Sequence, residues 1–248
     1  MEIWQDYEAT YRSALKDPEF LSWRELGAQK KAQNIARVCH DMEVASMIEI
    51  GCGTGAVLRN LHAMNFAREY CCTDLSPSAV AFTVTSCSDF MPRAVVGPAD
   101  DLPFPDGTFS VAVLSHVLEH LDDPLAALRE AVRIARFVVV EVPTEKVLYS
   151  FIKAKVLLRP YASIAEAGHV QFWSPSSIAR FLTQDAGMEI LEHYRDLLDE
   201  EADSPSQRAP GAKPFVKHIL RSALPASLYS RLLTTHATFL CRRWNAGS

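Results

Sequence analysis

No stretch of this 248-residue sequence approaches the roughly 20 consecutive apolar residues that span a bilayer, so no transmembrane helix is expected. The N-terminus, MEIWQDYEAT, lacks the basic start and apolar core of a secretory signal. The six cysteines, at 39, 52, 71, 72, 87 and 241, include no CxxC pair, and the adjacent Cys71 and Cys72 are poorly placed to share a metal. Several lie in apolar runs, where a free thiol acts as a small hydrophobe. A reduced, cytoplasmic setting is the expectation that follows. A basic excess is also missing: 25 Lys and Arg face 30 Asp and Glu, a net charge of −5. That argues against a general nucleic-acid binder. No internal repeat is visible.

What is present is an ordinary globular composition, 48% apolar and 22% charged, of a length that suits one α/β domain over 1–248. Its central half alternates strand and helix patterns. Strands are expected at 45–50, 69–74, 93–96, 109–115 and 137–142, with helices at 55–66, 76–87 and about 121–134 between them. Short β-branched runs separated by helices imply right-handed crossovers and a parallel sheet covered on both faces. A helix over 18–39 precedes this core (45–143), within an N-terminal helical segment, 1–40. A mostly helical insertion, expected to cap the sheet, covers 144–168. The C-terminal part, 169–248, opens with Ser174-Pro175, a serine cap and a proline at the first helical position of a helix to 182. Strands are expected at 188–194 and 235–241, separated by an inserted loop and helix over 196–234.

The strongest motif is IEIGCGTG at 48–55, a strand-to-helix turn with Gly51, Gly53 and Gly55 around Cys52. Glycine permits the tight turn and lets a ligand lie against the main chain. Asp74 ends the next strand 19 residues after Gly55, where a doubly wound sheet places an acid to accept hydrogen bonds from ribose hydroxyls.

Over roughly 45–195 the chain resembles the class I S-adenosylmethionine-dependent methyltransferases, in their small-molecule branch. The resemblance rests on IEIGCGTG, on TDLSPSAV (73–80), on GPADDLPFPDGTFSVAVLSHVLEHLDDP (97–124) and on the segment from His169 to Leu182. It implies a doubly wound, seven-stranded, mostly parallel sheet whose last strand is antiparallel. It also implies S-adenosylmethionine as cofactor, with S-adenosylhomocysteine as product. Glu49 then supports the loop near the methionine moiety, Asp74 and Leu75 meet the ribose, and the turn before Leu102 holds adenine. Where family members often carry an Asp after the first Gly of that turn, this chain has Pro98, which also removes a backbone donor. Asp100, Asp101 or the backbone at Ala99 is left for that role. The nicotinamide alternative has only Tyr149 and Lys153, a YxxxK pair, in its favour. The TGxxxGxG and GxGxxG turns that such enzymes use are absent.

The fourth strand runs through Ser115 into His116, Glu119 and His120. Ligands of open α/β sheets sit beyond the strand carboxyl ends, so this segment is expected to face the methyl group. Methyl transfer is an in-line displacement; for a hydroxyl acceptor a proton must also leave, and histidine suits that role. In a helix, residues at i, i+3 and i+4 share one face. HVQFWS at 169–174 resembles a segment of small-RNA 2′-O-methyltransferases, whose ExxEH and downstream His hold magnesium. This chain has HxxEH. Three imidazoles and one carboxylate from His116, Glu119, His120 and His169 suit a borderline divalent ion better than magnesium. A divalent metal is the minor reading and metal-free histidine catalysis the favoured one.

The acceptor is expected to be a small molecule methylated at oxygen. N-methylation of a small amine and a non-catalytic S-adenosylmethionine-binding protein are the alternatives. Methylation of nucleic-acid amino groups is disfavoured because no (N/D)PP(Y/F) sequence follows the fourth strand. Trp4, Tyr7 and Tyr11 recur near helical spacing, as an aromatic lid or as packing on the sheet edge. From Ser204 onward there are seven basic and no acidic residues, after an acidic run that includes Asp196 and Asp199. Such runs read as a solvated face, or as recognition of an anionic or lipid-linked acceptor.

Overall fold

The computed structural model describes residues 2–90, 92–144, 169–197 and 234–244. Most of the insertion at 144–168, with Tyr149 and Lys153, lies outside them, as do nearly all of 196–234 and the side chain of Trp4.

Seven strands form one sheet: β1 (Val44–Ile50), β2 (Ala67–Asp74), β3 (Arg93–Val96), β4 (Phe109–Ser115), β5 (Ala135–Pro143), β6 (Met188–Leu197) and β7 (Thr234–Arg243). Their order is β3-β2-β1-β4-β5-β7-β6. β1 to β5 are parallel, and β7 lies antiparallel between β5 and β6. The chain order reverses between β1 and β4, the switch point at which ligands bind in doubly wound sheets. Strands β5, β6 and β7 run longer than their apolar patterns suggest, because mutual pairing extends them into polar residues such as Asp196 and Arg242.

Alternation along the strands builds two cores. Ile48, Ile50, Ala112, Leu114, Val138 and Val140 face α5 (Pro124–Ile134) and α6 (Pro175–Arg180). Met47, Val111, Val113 and Val139 face α2 (Pro18–Val38) and α3 (Ala56–Ala63). Each fully buried aliphatic side chain contributes about 1.5–3 kcal/mol. Residues two positions further along on the α2 face are Glu49, Ser115 and Glu141, so the same periodicity that buries the valines brings polar groups to the sheet's carboxyl end.

The helices begin as local sequence chemistry dictates. Asp17, Ser76, Asp123 and Ser174 cap α2, α4 (Pro77–Ser86), α5 and α6, each followed by a proline at the first helical position. The Asp123 cap starts α5 later than the 121 expected from periodicity. Residues Leu118–His120 form a separate 3₁₀ turn instead. α6 widens into a π turn at Phe181–Asp185 rather than running on as α-helix to 182. A further helix, α1 (Glu2–Ala14), precedes α2.

Candidate active site

The glycine turn leaves β1 with φ of +77° at Gly51 and +55° at Gly53, a region costly for other residues. A Cβ at Gly51 would stand 2.6 Å from a Val117 methyl, and one at Gly53 would stand 2.5 Å from the Tyr11 hydroxyl and 3.0 Å from Arg24. Gly51 and Cys52 donate their N–H groups to the Thr73 carbonyl at 2.8 and 2.9 Å. Gly55 caps α3. Asp74 is buried and accepts from Gly53 N–H at 2.8 Å on one oxygen and from Ser76 N–H at 2.9 Å on the other. Burial pushes its carboxyl up, and these two bonds pull it back. Each oxygen keeps a lone pair for a ligand. Leu75 follows half-buried, and Gly97 N–H bonds the Asp74 carbonyl at 3.0 Å. The turn carrying half-buried Ala99 and exposed Asp100 and Asp101 is therefore held beside Asp74. Helix α1 lies across this end: Glu8 accepts from the Ser76 and Ser78 hydroxyls, and Tyr7 and Tyr11 pack at 5.1 Å. The Tyr11 hydroxyl stands over Gly53, and Tyr7 packs on Tyr11.

At the other end of the cleft, β4 stops at Ser115, whose hydroxyl donates to Glu141 at 2.6 Å. His116 follows with φ +58°, and its N–H bonds the Glu141 carbonyl at 2.9 Å. A left-handed non-glycine residue costs on the order of 1–3 kcal/mol, so the surrounding bonds hold it there. His116 Nδ1 lies 3.4 Å from Oε1 of the fully buried Glu119, and its Nε2 is buried with no hydrogen-bond partner. Burial, reinforced by Lys31, His236 and Arg24, lowers the imidazole well below its ordinary range and keeps it neutral. Burial likewise pushes Glu119 up to about 7.

His116, Glu119, His120 and His169 do not converge on one point. Glu119, His120 and His169 offer ligand atoms within 4.8 Å of one another, whereas the His116 ring packs at 5.0 Å against His236. The reason is local: residues 118–120 make one 3₁₀ turn rather than an α-helix, so the histidines at 116 and 120 do not share a face. His169 is brought in by backbone, since Val170 and Gln171 both donate to the Glu119 carbonyl, at 2.8 and 3.0 Å. Two imidazoles and one carboxylate form a donor set that fits a borderline divalent ion. Both Glu119 oxygens lack hydrogen-bond partners, which suits that fit.

Between the two ends lies a cavity of about 220 Å³, lined among others by Arg24, Lys31, Asn34, Glu49, Gly51, Ser115, His116, Glu141 and His236. Burial pushes Glu49 up to about 8. Five of these residues, with Asp196, are absent from the sequence-based candidates. Glu141 left a trace, as a lone carboxylate inside the apolar run FVVVEV. Asn34 of α2 donates to Glu141 at 3.3 Å and also to Asp196, whose other oxygen pairs with Lys30 at 3.3 Å. Asp196 therefore belongs to a buried network and not to a solvated acidic run.

A family model described as a methyltransferase domain matches residues 20–193. A 94-residue stretch is 31% identical to ajmaline N-methyltransferase of Rauvolfia serpentina, covering 36% of this chain and 32% of that protein. The chain thus spans about a third of the length of the curated relative it matches. Among solved structures, a chain of the Haloferax volcanii complex between the Trm112 methyltransferase activator and a methyltransferase superposes with TM-score 0.62 at 18% identity, covering 90% of this chain and 94% of that one. Magnesium protoporphyrin IX methyltransferase from Synechocystis, solved with bound S-adenosylhomocysteine, gives 0.57 at 12%, covering 89% and 86%. At these identities the two structures establish the fold. With the family match over most of the chain and a glycine turn after β1 bonded to Asp74 at the end of the neighbouring β2, the protein belongs to the class I S-adenosylmethionine-dependent methyltransferases.

Proposed function

We propose that the protein transfers the methyl group of S-adenosylmethionine to a hydroxyl of a small molecule, with His116 accepting the hydroxyl proton. The observation that carries this reading is His116 itself. It is neutral, it lines the cavity, and its Nε2 is buried without a partner at the end of β4. When bound, the cofactor supplies an electrophilic methyl on a sulfonium sulfur. The turn at Gly51–Gly55, Asp74 and Leu75 hold its ribose, and Glu49 and Arg24 meet the ammonium and carboxylate of its methionine end. The Ala99–Asp101 turn takes the adenine. The methyl would pass in line to the acceptor oxygen, the carbon–sulfur electron pair staying with sulfur, and His116 would take the hydroxyl proton on Nε2. Glu119, through Nδ1, keeps the imidazole oriented.

Glu119, His120 and His169 would hold a divalent ion if one binds, and it would act as a Lewis acid toward the acceptor oxygen. Our reading routes the proton through His116 and requires no ion. A reducing, cytoplasmic setting is supported by six buried, unpaired cysteines. Among the described residues no helix is long and apolar enough to cross a membrane, and the acceptor is read as a diffusible small molecule rather than nucleic acid.

The match to an N-methyltransferase favours one second reading, transfer to a small amine. Incubation with labelled S-adenosylmethionine and paired hydroxyl and amine acceptors, with products read by mass spectrometry, separates the two. O-methyl products that disappear in His116→Ala support the proposal. N-methyl products alone overturn it.

A further inference from the structure

The inward face of α2 carries two cations two turns apart, Arg24 and Lys31, and both line the cavity. Between them Gly27 and Ala28 leave room; a Cβ at Gly27 would meet nothing within 4 Å. Lys31 differs from its neighbour Lys30, whose amine pairs with Asp196 at 3.3 Å. Lys31 makes no hydrogen bond or ion pair with any described residue. The charged and titratable groups that face it are Arg24, Glu49, Glu119, Glu141 and His116. None of the carboxylates is committed to it. Glu141 is bonded by Ser115 and Asn34, and Asp196, a turn away, by Lys30 and Asn34. Burial pushes Glu49 up to about 8, so near neutral pH it does not carry a full negative charge, and Glu119 faces the His116 ring at 3.4 Å. An unpaired ammonium in such a place is costly unless a ligand pairs with it. Burial and Arg24 have already pulled this one down to about 8.

Arg24 stands against Gly53, the right place for the cofactor's own carboxylate. Lys31 stands further along the same face, toward Ser115, His116 and Glu141, where the acceptor would lie. We propose that Lys31 anchors a carboxylate on the methyl acceptor, so that the acceptor's reactive oxygen lies on the His116 side of the cavity. The inference rests on the reading of this cavity as the acceptor pocket. One lysine ringed by acids suits a singly charged carboxylate better than a phosphate dianion. Trp23 and Leu26, both about half exposed on α2 and lining the same cavity, give an organic acid an apolar surface beside the amine.

Benzoate and its uncharged analogue benzamide are the probes, titrated by calorimetry into the protein saturated with S-adenosylhomocysteine. Wild type is expected to bind benzoate saturably and benzamide at least about tenfold more weakly. Lys31→Met should weaken benzoate by about tenfold or more, and Lys31→Arg should restore most of the affinity. Arg24→Met should weaken S-adenosylhomocysteine, and Lys31→Met should leave it within about threefold. Circular dichroism of each variant confirms that it folds. Benzoate binding that is undetectable in wild type, or unchanged in a folded Lys31→Met, overturns the inference. A loss of S-adenosylhomocysteine in Lys31→Met as large as in Arg24→Met assigns Lys31 to the cofactor's carboxylate and overturns it too. If wild type fails to bind S-adenosylhomocysteine at all, it is the methyltransferase reading of the site that fails.

Discussion

The two halves of the cleft are built in different ways. The cofactor half is nearly contiguous: the turn at Gly51–Gly55 and the end of β2 at Asp74 are joined by backbone hydrogen bonds, Gly53 N–H to Asp74 and Gly51 N–H to Thr73. The acceptor half is assembled from α2, β4, β5, β6 and β7, with side chains that meet only in three dimensions: Lys31, Asn34, His116, Glu141, Asp196 and His236. The first half is mostly main chain and the Asp74 carboxylate, with glycines at positive φ, so its backbone tolerates little change. The second is side chains carried by a frame of strands and α2. A family that keeps its methyl donor and varies its acceptor needs this division.

The sharpest way to break the comparison is His116→Ala. The expected loss in kcat is about 10²–10⁴-fold, the usual worth of a positioned base, with affinity for S-adenosylhomocysteine unchanged. A matching loss in calorimetric affinity would move His116 into the cofactor half. Glu119→Gln should lower kcat less and leave the acidic limb of the pH–rate profile set by His116, on the acid side of an ordinary imidazole, in keeping with its lowered pKa.

Asp74→Ala is the complementary change. It should weaken S-adenosylhomocysteine by about 1–3 kcal/mol, the cost of stranding buried hydrogen-bond partners, with little effect on kcat at saturation. Unchanged affinity by calorimetry removes Asp74 from the ribose.

A smaller effect is expected from pH. Glu49 is held up to about 8 by burial, against an ordinary carboxylate value of 4.5. Between pH 6.5 and 8 the folded, ligand-free protein keeps a proton that the unfolded chain has released. Its stability therefore falls as pH rises through that window, by about 1 kcal/mol. Glu119, pushed up to about 7, adds to the fall in the lower part of this window, whereas His116 changes stability below it and Lys31 above it. Urea unfolding at both pH values should show the slope in wild type and a flatter one in Glu49→Gln. An equal slope in both proteins would place the proton elsewhere.

The smallest expected effect is that of a chelator. With His116 as base, EDTA leaves turnover unchanged, and His120→Ala and His169→Ala each cost less than about tenfold, well under the loss from removing a base. A stoichiometric divalent metal found by elemental analysis and removed by His169→Ala would instead make the Glu119, His120 and His169 cluster part of the chemistry.

Most of the sheet was legible before any coordinates. Apolar runs such as SMIEI and FVVVEV repeat between helix patterns, and proline after a capping residue marks four helix starts. The positions of the glycine turn and Asp74 were legible for the same reason: a strand-to-helix turn and a strand-end acid are set by backbone conformation and strand position, which are local. His116, Glu119 and His120 were found because they follow β4 directly, yet their grouping was misjudged. The left-handed φ of His116 and the 3₁₀ turn after it are set by the bonds to Glu141, not by spacing.

The sequence by itself determined the alternation of strands and helices, hence a parallel sheet covered on both faces, and a glycine turn followed by an acid at the end of the next strand, because hydrophobic period and glycine conformation act over a few residues; the seven-stranded order came with the family resemblance. Only the tertiary structure decided that α2 lays Arg24, Lys31 and Asn34 over the ends of β4 and β5, that Asp196 is buried beneath it, and that His116 and His169 stand apart. The placement of α2 and of Asp196 depends on packing between elements more than 100 residues apart in the chain, as between Asn34 and Glu141, and no local pattern encodes such a distance.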